Sequence, residues 1–407
     1  MPINLGSGAA SALYLGSTEV VAAYLGPSEI YTSTVTLTLT GPSDQTASSG
    51  AATFTVSATI SDGSALVYQW QLGASGGVTW TQRTLPATGY WVGAAYGNGV
   101  FALVSYGNNV AATSSDGITW TQRTLPATAS WDDVTFGNGT FVAVASGGTI
   151  AATSSDGITW TQRTLPTSAS WDAVTFGNGT FVAVANGGTI AATSSDGITW
   201  TQRTLPTSAS WFKVAYGGGI FVAVARNTTI AASSSDGITW TQRTLPTTDD
   251  WRGLAYGNGT FVATALNSSN AATSTDGITW TQRSLPSVSG WMGLAYGEGI
   301  FAVVAYYSST IVATSSDGIT WTQRTLPTSA NWQVITHGNG TFVAVPYNSS
   351  VAATSPSSAQ WADITGETTD TLALTGLASG DGGNQYRVIV DSPSVDPVTS
   401  AVATLTV

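Results

Sequence analysis

The stretch Ser114–Pro126 reads SSDGITWTQRTLP, and the same thirteen letters begin again at Ser154, Ser194, Ser234 and Ser315. Ser274 opens a near copy, STDGITWTQRSLP, whereas Gly76–Pro86 (GGVTWTQRTLP) keeps only the second half. The tryptophans of the phrase set a period. Trp80, Trp120, Trp160, Trp200, Trp240 and Trp280 lie 40 residues apart, and Trp321 follows after 41. A second series runs 11 residues behind: Trp91, Trp131, Trp171, Trp211, Trp251, Trp291 and Trp332. Seven units spaced in this way, each with room for four short strands, predict a β-propeller, whose repeats run about 40–45 residues.

One unit shows how the strands divide. WDDVTF (131–136) predicts a first strand, TFVAVA (140–145) a second, TIAATS (149–154) a third and ITWTQR (158–163) a fourth. The connecting GNG and SDG supply residues that tolerate the positive φ of tight hairpins. Alternation of apolar and polar residues marks ITWTQR as half-buried. The headless first copy then has an explanation. The last unit, from Trp332, ends after its third strand near Ser355, and the first begins with only a fourth strand, GVTWTQR from Gly77. Three strands from the end and one from the start complete one blade, which removes an open sheet edge.

Composition narrows the function. Only 8% of the 407 residues are charged, against about 25% in an ordinary domain. Net charge is −11 with no basic run, which argues against a nucleic-acid partner. There is no cysteine, so disulfides and thiolate metal sites are excluded, and the single His337 cannot build a zinc cluster. No metal or cofactor is expected. The start, MPINLGSGAASALYLG, has neither a basic n-region nor a long apolar run, so neither a signal peptide nor membrane insertion is expected.

The phrase SSDGITW resembles the Asp-box of sialidase-like propellers, with a turn one residue shorter. The resemblance covers about two-thirds of the chain and implies that the Asp is a structural turn residue between strands three and four. Sialidase chemistry, as that family implies it, needs an arginine cluster, a Tyr–Glu pair and an acid. Seven of the ten arginines sit in the repeated WTQR on the outer strand, and Glu298 is the propeller's only glutamate. No catalytic residue is assigned and no enzymatic activity is expected; a glycan-active enzyme is a distant alternative. The Asn-Gly-Thr at Asn138, Asn178, Asn258 and Asn339 fits a glycosylation pattern but is read as a hairpin turn.

The flanks read as one further domain. TVTLTLT (34–40), ATFTVSATI (52–60) and LVYQWQL (66–72) precede the propeller; QWADI (360–364), DTLALTGL (370–377), DGGNQYRVIV (381–390) and AVATLTV (401–407) follow it. Joined, they resemble a bacterial or phage immunoglobulin-like sandwich, with Trp70 at the core tryptophan position, DGGNQY (381–386) at the tyrosine turn, and Val56 and Val388 in place of the cystine. The expected fold class is therefore all-β: a seven-bladed propeller of four-stranded blades with 3+1 closure, inserted into an immunoglobulin-like β-sandwich behind a short N-terminal β segment. The expected boundaries are 1–31, 32–74, 75–355 and 356–407.

LYLGSTEV from Leu13 and AYLGPSEI from Ala23 are two short copies that resemble the N-termini of tailed-phage structural proteins. The resemblance implies a virion protein, made in the host cytoplasm, that meets other virion proteins through residues 1–31; a small hairpin capping the sandwich is the alternative. It leaves room for a homo-oligomer. The units differ from one another mainly in two places. These are the link before the second Trp and the loop after strand two, both on the face opposite the GNG and SDG turns. The residue after the second Trp also varies and should lie at the mouth of the central channel. Candidate ligand contacts on this face are Tyr90, Asp132, Asp172, Phe212, Arg226, Asp250, Arg252, Met292, Tyr306, Tyr307, Gln333 and Tyr347. Aromatic rings suit sugar faces and protein anchors, so a host-surface glycan or receptor is the expected partner. Asp132, Asp133 and Asp172 are read as solvated acids, with recruitment of a cation as the alternative. A tail or head decoration protein without a receptor, its loops free to drift, is the alternative.

Overall fold

The computed structural model describes residues 13–14, 18–24, 30–40, 45–46, 51–61, 64–74, 79–356, 360–363, 369, 371–375, 385–392, 395–399 and 403–406. Among these there is no helix. The chain divides into two compact units, Met1–Ser75 with Ala359–Val407, and Gly76–Ser358.

In the larger unit 19 strands follow one another in a closed cyclic order of antiparallel neighbours. The turns form as their chemistry dictates. In Asn98-Gly99, Asn138-Gly139 and Asn178-Gly179 both residues have positive φ, 45–48° at Asn and 73–78° at Gly, the geometry of the turn that matches strand twist. At the other turn Ser114 Oγ donates to Asp116 Oδ1 (2.8 Å), and the backbone N–H groups of Ile118 and Thr119 donate to the same oxygen at 2.8 Å each. Gly117 N donates to Ser114 Oγ, and Trp120 Nε1 to Gly117 O. The pattern repeats at Asp156, Asp196 and Asp236. Each such carboxylate is spent on its own turn, and these hydrogen bonds hold Asp196 and Asp236 below the usual carboxylate range.

Two features differ from the sequence expectation. Ile118–Trp120 is not strand but part of the turn, because the Asp carboxylate draws the next two N–H groups to itself and the indole folds back onto Gly117. The fourth strand and the following first strand are also continuous: Thr121–Gly137 is one element of 17 residues, as are Thr161–Gly177 and Thr201–Gly217. The link stays extended through its proline because its far end pairs with the preceding loop, as Asn108 does with Ala129.

The seven second-series tryptophans are fully buried, and each core draws on adjacent repeats; Val142 and Val144 pack with Trp171, Phe181 and Trp200. Glycines set the spacing between repeats. A Cβ on Gly97 would fall 2.0 Å from the Phe136 ring, one on Gly137 2.0 Å from Phe176, and one on Gly297 2.1 Å from His337. His337 thus fills a slot that other repeats give to Phe or Tyr. The two ends of the unit meet: Val351, Ala352, Ala353 and Thr354 pair with Thr84, Arg83, Gln82 and Thr81. Trp91 Nε1 donates to Ser349 O across the same seam. The paired segments begin at Thr81 and end at Pro356, the position at which other repeats carry the SDG turn.

In the smaller unit, Val67–Ala74 pairs with Gln360–Asp363 on one side and with Gln385–Ser392 on the other, so segments from both flanks share a sheet. Trp70 is fully buried with Phe54, Val56, Leu372, Val388 and Val390, and its Nε1 donates to Thr369 O at 2.8 Å. Leu13–Tyr14, Thr18–Tyr24 and Ile30–Thr40 pair in succession. The last of these runs across residue 31, where the sequence suggested a boundary. Residues 15–17 and 25–29 of the two YLG copies, and residues 381–384, lie outside the described residues.

Candidate functional site

The seven residues that follow the buried tryptophans come together. Val92, Asp132, Asp172, Phe212, Arg252, Met292 and Gln333 all line one cavity of about 260 Å³ on the propeller axis. Each stands at the start of an inner strand, one residue past a buried anchor, so ring closure aims all seven at the axis.

The cavity is electrostatically divided. Lys213, the chain's single lysine, crosses from its own repeat to reach Asp133 Oδ2 at 3.4 Å, two repeats away. Asp133 also accepts from the N–H groups of Val134 (3.1 Å) and Val174 (3.2 Å). Burial pushes its pKa up, against the opposing pull of Lys213. Arg252 is gripped by Asp250, with Nε and Nη2 each at 2.8 Å from a carboxylate oxygen. Arg226 Nε lies 3.7 Å from Asp250. Both guanidinium groups lie over the Phe212 ring, 4.7 Å from its centroid for Arg252 and 5.1 Å for Arg226, a favourable cation–π geometry.

Asp132 and Asp172 have no such partner: among the described residues neither forms an ion pair. Burial, then the nearby charges of Asp172 and Asp133, push Asp132 up to about 7. Burial pushes Asp172 up to about 6, against hydrogen bonding from Asn186 and the charges of Arg226, Lys213 and Arg252. Asn186 Nδ2 donates to Asp172 Oδ2 at 3.0 Å. The expectation of solvated acids is therefore corrected. Ring closure places these carboxylates inside a narrow cavity, where desolvation outweighs the cationic neighbours. Groups titrating near neutrality can exchange protons with a bound molecule. Among the described residues no group of three or more His, Asp or Glu is arranged to hold a metal ion.

Beside the cavity lies a tyrosine rim. The rings of Tyr90 and Tyr347 lie 4.9 Å apart, those of Tyr306 and Tyr307 5.1 Å, and those of Tyr306 and Tyr347 6.5 Å. Tyr90 and Tyr307 are 42% and 55% exposed. A second cavity of about 290 Å³ joins Tyr306, Tyr307 and Tyr347 to Arg252, Met292 and Gln333. Burial raises the hydroxyl pKa of both Tyr306 and Tyr347. All twelve residues singled out from the sequence therefore lie at this face, in the axial cavity, over Phe212 or in the rim. Arg252 is no free cation, however, because Asp250 already holds it.

Sequence reading missed two residues at this face and one buried behind the cavity wall. Lys213 was signalled by being the chain's single lysine, at a position where other repeats carry Asp, Ala, Gly or Val. Tyr106, 38% exposed, sits in a loop whose variability was noted. Thr264 stands where the neighbouring repeats have Val224 and Val304, and its fully buried Oγ1 has no hydrogen-bond partner. The repeated arginines stay away from the cavity, as expected: Arg123 Nε donates to Thr113 Oγ1 and Arg203 Nε to Thr193 Oγ1, each at 2.9 Å.

A cyclic sheet around an axial cavity defines a β-propeller. The family model described as DUF6242 beta propeller domain matches residues 93–212 and, in an overlapping placement, 132–250. Virginiamycin B lyase from Staphylococcus aureus is similar in structure, with a TM-score of 0.62 at 13% identity over 68% of this chain and 99% of the lyase. Raptor from Chaetomium thermophilum is also similar (TM-score 0.54, 10% identity, 74% of this chain and 30% of that one). So is the Cps50 (Swd1) β-propeller domain from Myceliophteria thermophila (0.53, 8%, 67% and 99%). No curated protein matches the sequence. These likenesses establish the fold. They also correct the expectation of a non-enzyme: the same fold carries a lyase, so neither the architecture nor the lack of sialidase residues excludes catalysis.

Proposed function

We propose that the chain is a tailed-phage virion protein that displays a seven-bladed propeller for attachment to a host-surface glycan. The blades are four-stranded with 3+1 closure and an Asp-box-like turn. The smaller unit is an immunoglobulin-like sandwich interrupted by the propeller, and residues 1–31 dock it to other virion proteins. The two YLG copies and the flanking strand pattern support the virion part of the proposal.

The observation that carries the attachment role is the backbone of Tyr307. It has φ +62°, where the corresponding loops place Gly147, Gly187, Asn227, Asn267 and Asn348 at the same left-handed turn. A bulky side chain there costs about 1–2 kcal/mol per residue. The loop also holds the extra residue of the 41-residue repeat. A local rule is broken where it adds an exposed aromatic to a contiguous tyrosine rim, as at functional sites. Tyrosine offers an apolar ring for a sugar face and a hydroxyl for hydrogen bonding.

Adsorption to host cells and binding to a glycan array test this. The triple variant Tyr90→Ala, Tyr307→Ala, Tyr347→Ala should lose both at unchanged fold. Equal adsorption by the variant and the natural protein would leave a purely structural decoration protein as the better description.

A further inference from the structure

The repeats are near copies, and departures from them gather at one cavity. In the four-residue link before each buried tryptophan, the second residue is Thr or Ser in every repeat but one, where it is Val288. The fourth is Tyr, Ser, Asp or Asn in every repeat but the same one, where it is Gly290. The loop that follows carries the extra residue and the Tyr306–Tyr307 pair. Val288, Gly290, Tyr306, Tyr307 and Ser308 all line a cavity of about 510 Å³. Val288 is 73% exposed, more than any other large apolar side chain among the described residues. A Cβ on Gly290 would fall 2.5 Å from the Tyr307 ring, so the glycine is what lets that ring lie against the strand. A strand glycine and a left-handed tyrosine each weaken the fold locally, and a valine left in water adds nothing to it. Such choices gathered at one cavity mark a contact surface.

This cavity is the outer member of a row. Tyr306 and Tyr307 also line the cavity of about 290 Å³, which in turn shares Arg252, Met292 and Gln333 with the axial cavity of about 260 Å³. Neighbouring cavities thus share walls, and the row runs from the axis to the edge of the rim at Val288. Each member has room for a sugar ring. Gln333, Asn267, Ser308 and Ser309 bring amide and hydroxyl groups beside the tyrosine rings. That mixture suits the polar edge and apolar face of a sugar.

The row offers no free cation. Its two cationic members are Lys213 and Arg252. Lys213 is paired with Asp133 at 3.4 Å and Arg252 with Asp250 at 2.8 Å. Asp132 and Asp172 add negative charge at the axial end. An acidic sugar would enter without a partner and against like charge. From the shared walls, the tyrosine rings and this charge pattern, we propose that the row binds an uncharged oligosaccharide of three or more units, its outermost unit against Tyr307 and Val288. The assignment rests on the attachment role proposed above and adds the length and charge of the ligand.

The full chain on an array of neutral oligosaccharides graded from one unit to six, printed beside chains that carry uronic or sialic acid, tests it. Signal should be confined to neutral chains of three units or more. Val288→Thr restores the residue of the other repeats at an exposed position, so it should weaken these chains several-fold at an unchanged melting temperature. Gly290→Ser displaces the Tyr307 ring and should weaken them tenfold or more; should it fail to fold, Val288→Thr carries the test. Acidic chains bound as well as neutral ones, or a single sugar bound as tightly as a trimer, would overturn the assignment and leave attachment through the rim standing. So would an array without signal while the triple tyrosine variant loses adsorption, which points to a protein receptor. An array without signal and full adsorption by that variant would overturn the attachment role itself.

Discussion

The ring of Tyr96, in the first repeat, covers Gly338 in the last, so closely that a Cβ on Gly338 would fall 2.0 Å from the aromatic carbon. The contact equals those inside the ring, such as Gly177 against Tyr216 at 1.9 Å. The seam between the chain ends is therefore packed as tightly as any other junction. Gly338→Ala should destabilise as much as Gly177→Ala, by about 1–3 kcal/mol or more for overpacking a filled core. Chemical denaturation of the two variants measures this. A Gly338→Ala protein as stable as the natural one would mean that the ends part in solution.

His337 occupies an aromatic slot between Gly297 and Phe342, its ring centroid 5.0 Å from that of Phe342. Burial lowers its pKa, with Glu298 pulling the other way. The sign follows from linkage: with the folded-state pKa depressed, the unfolded chain binds the proton more readily. Stability is complete above the unfolded value of about 6.5 and falls as pH drops toward the folded value. His337→Phe should leave stability at pH 8 nearly unchanged and become the more stable protein at pH 5. Melting temperatures of both proteins across that range decide it; parallel curves would refute the burial of the imidazole.

Asp132 shows the opposite linkage. Its carboxyl is raised to about 7 from an ordinary 3.8. The folded state then holds a proton that the unfolded chain has released, so stability falls as pH rises between those values. Asp132→Asn should stabilise the protein at pH 8 and have little effect near pH 4. At about 1.36 kcal/mol per pKa unit the ceiling is ~4 kcal/mol, reduced where Lys213 compensates. Thermal melts at the two pH values measure the difference. Equal effects at both would show that Asp132 stays hydrated.

The ring itself was legible because its determinants are local and recur: a tryptophan every 40 residues, Asn-Gly with two positive φ angles, and the Ser-Asp-Gly turn. The closing pair, Thr81–Thr84 with Val351–Thr354, could be read from a phrase missing its head. Position at the channel mouth was legible for the same reason, since Asp132, Phe212 and Arg252 hold the same place in the repeat. Their chemistry was not. Whether a carboxylate is solvated depends on what the ring places across the axis, and Lys213 meets Asp133 from two repeats away. The lyase-like neighbour likewise lies beyond reach of the sequence, at 13% identity. Thr264 was missed because a Val-to-Thr change in a strand looks conservative until its hydroxyl is found buried without a partner.

Tyr307 joins a strained backbone to an exposed ring, and the two can be separated by mutation. Its φ of +62°, followed by Ser308 at +50°, lies in the left-handed region that the matching loops fill with Asn or Gly. Asn tolerates this region because its short polar side chain bonds locally. Tyr307→Asn should therefore relieve strain and raise stability by roughly 1 kcal/mol. The edge-on contact with Tyr306 at 5.1 Å is lost in the same change, which offsets part of the gain. If the rim attaches to a host surface, this more stable protein should adsorb less well, by tenfold or more if Tyr307 is a central contact. Denaturation midpoints and adsorption constants, taken on the same preparations, give both numbers. A variant that gains stability and keeps full adsorption would remove Tyr307 from the binding surface, and one that loses stability would show that its ring holds the loop in place.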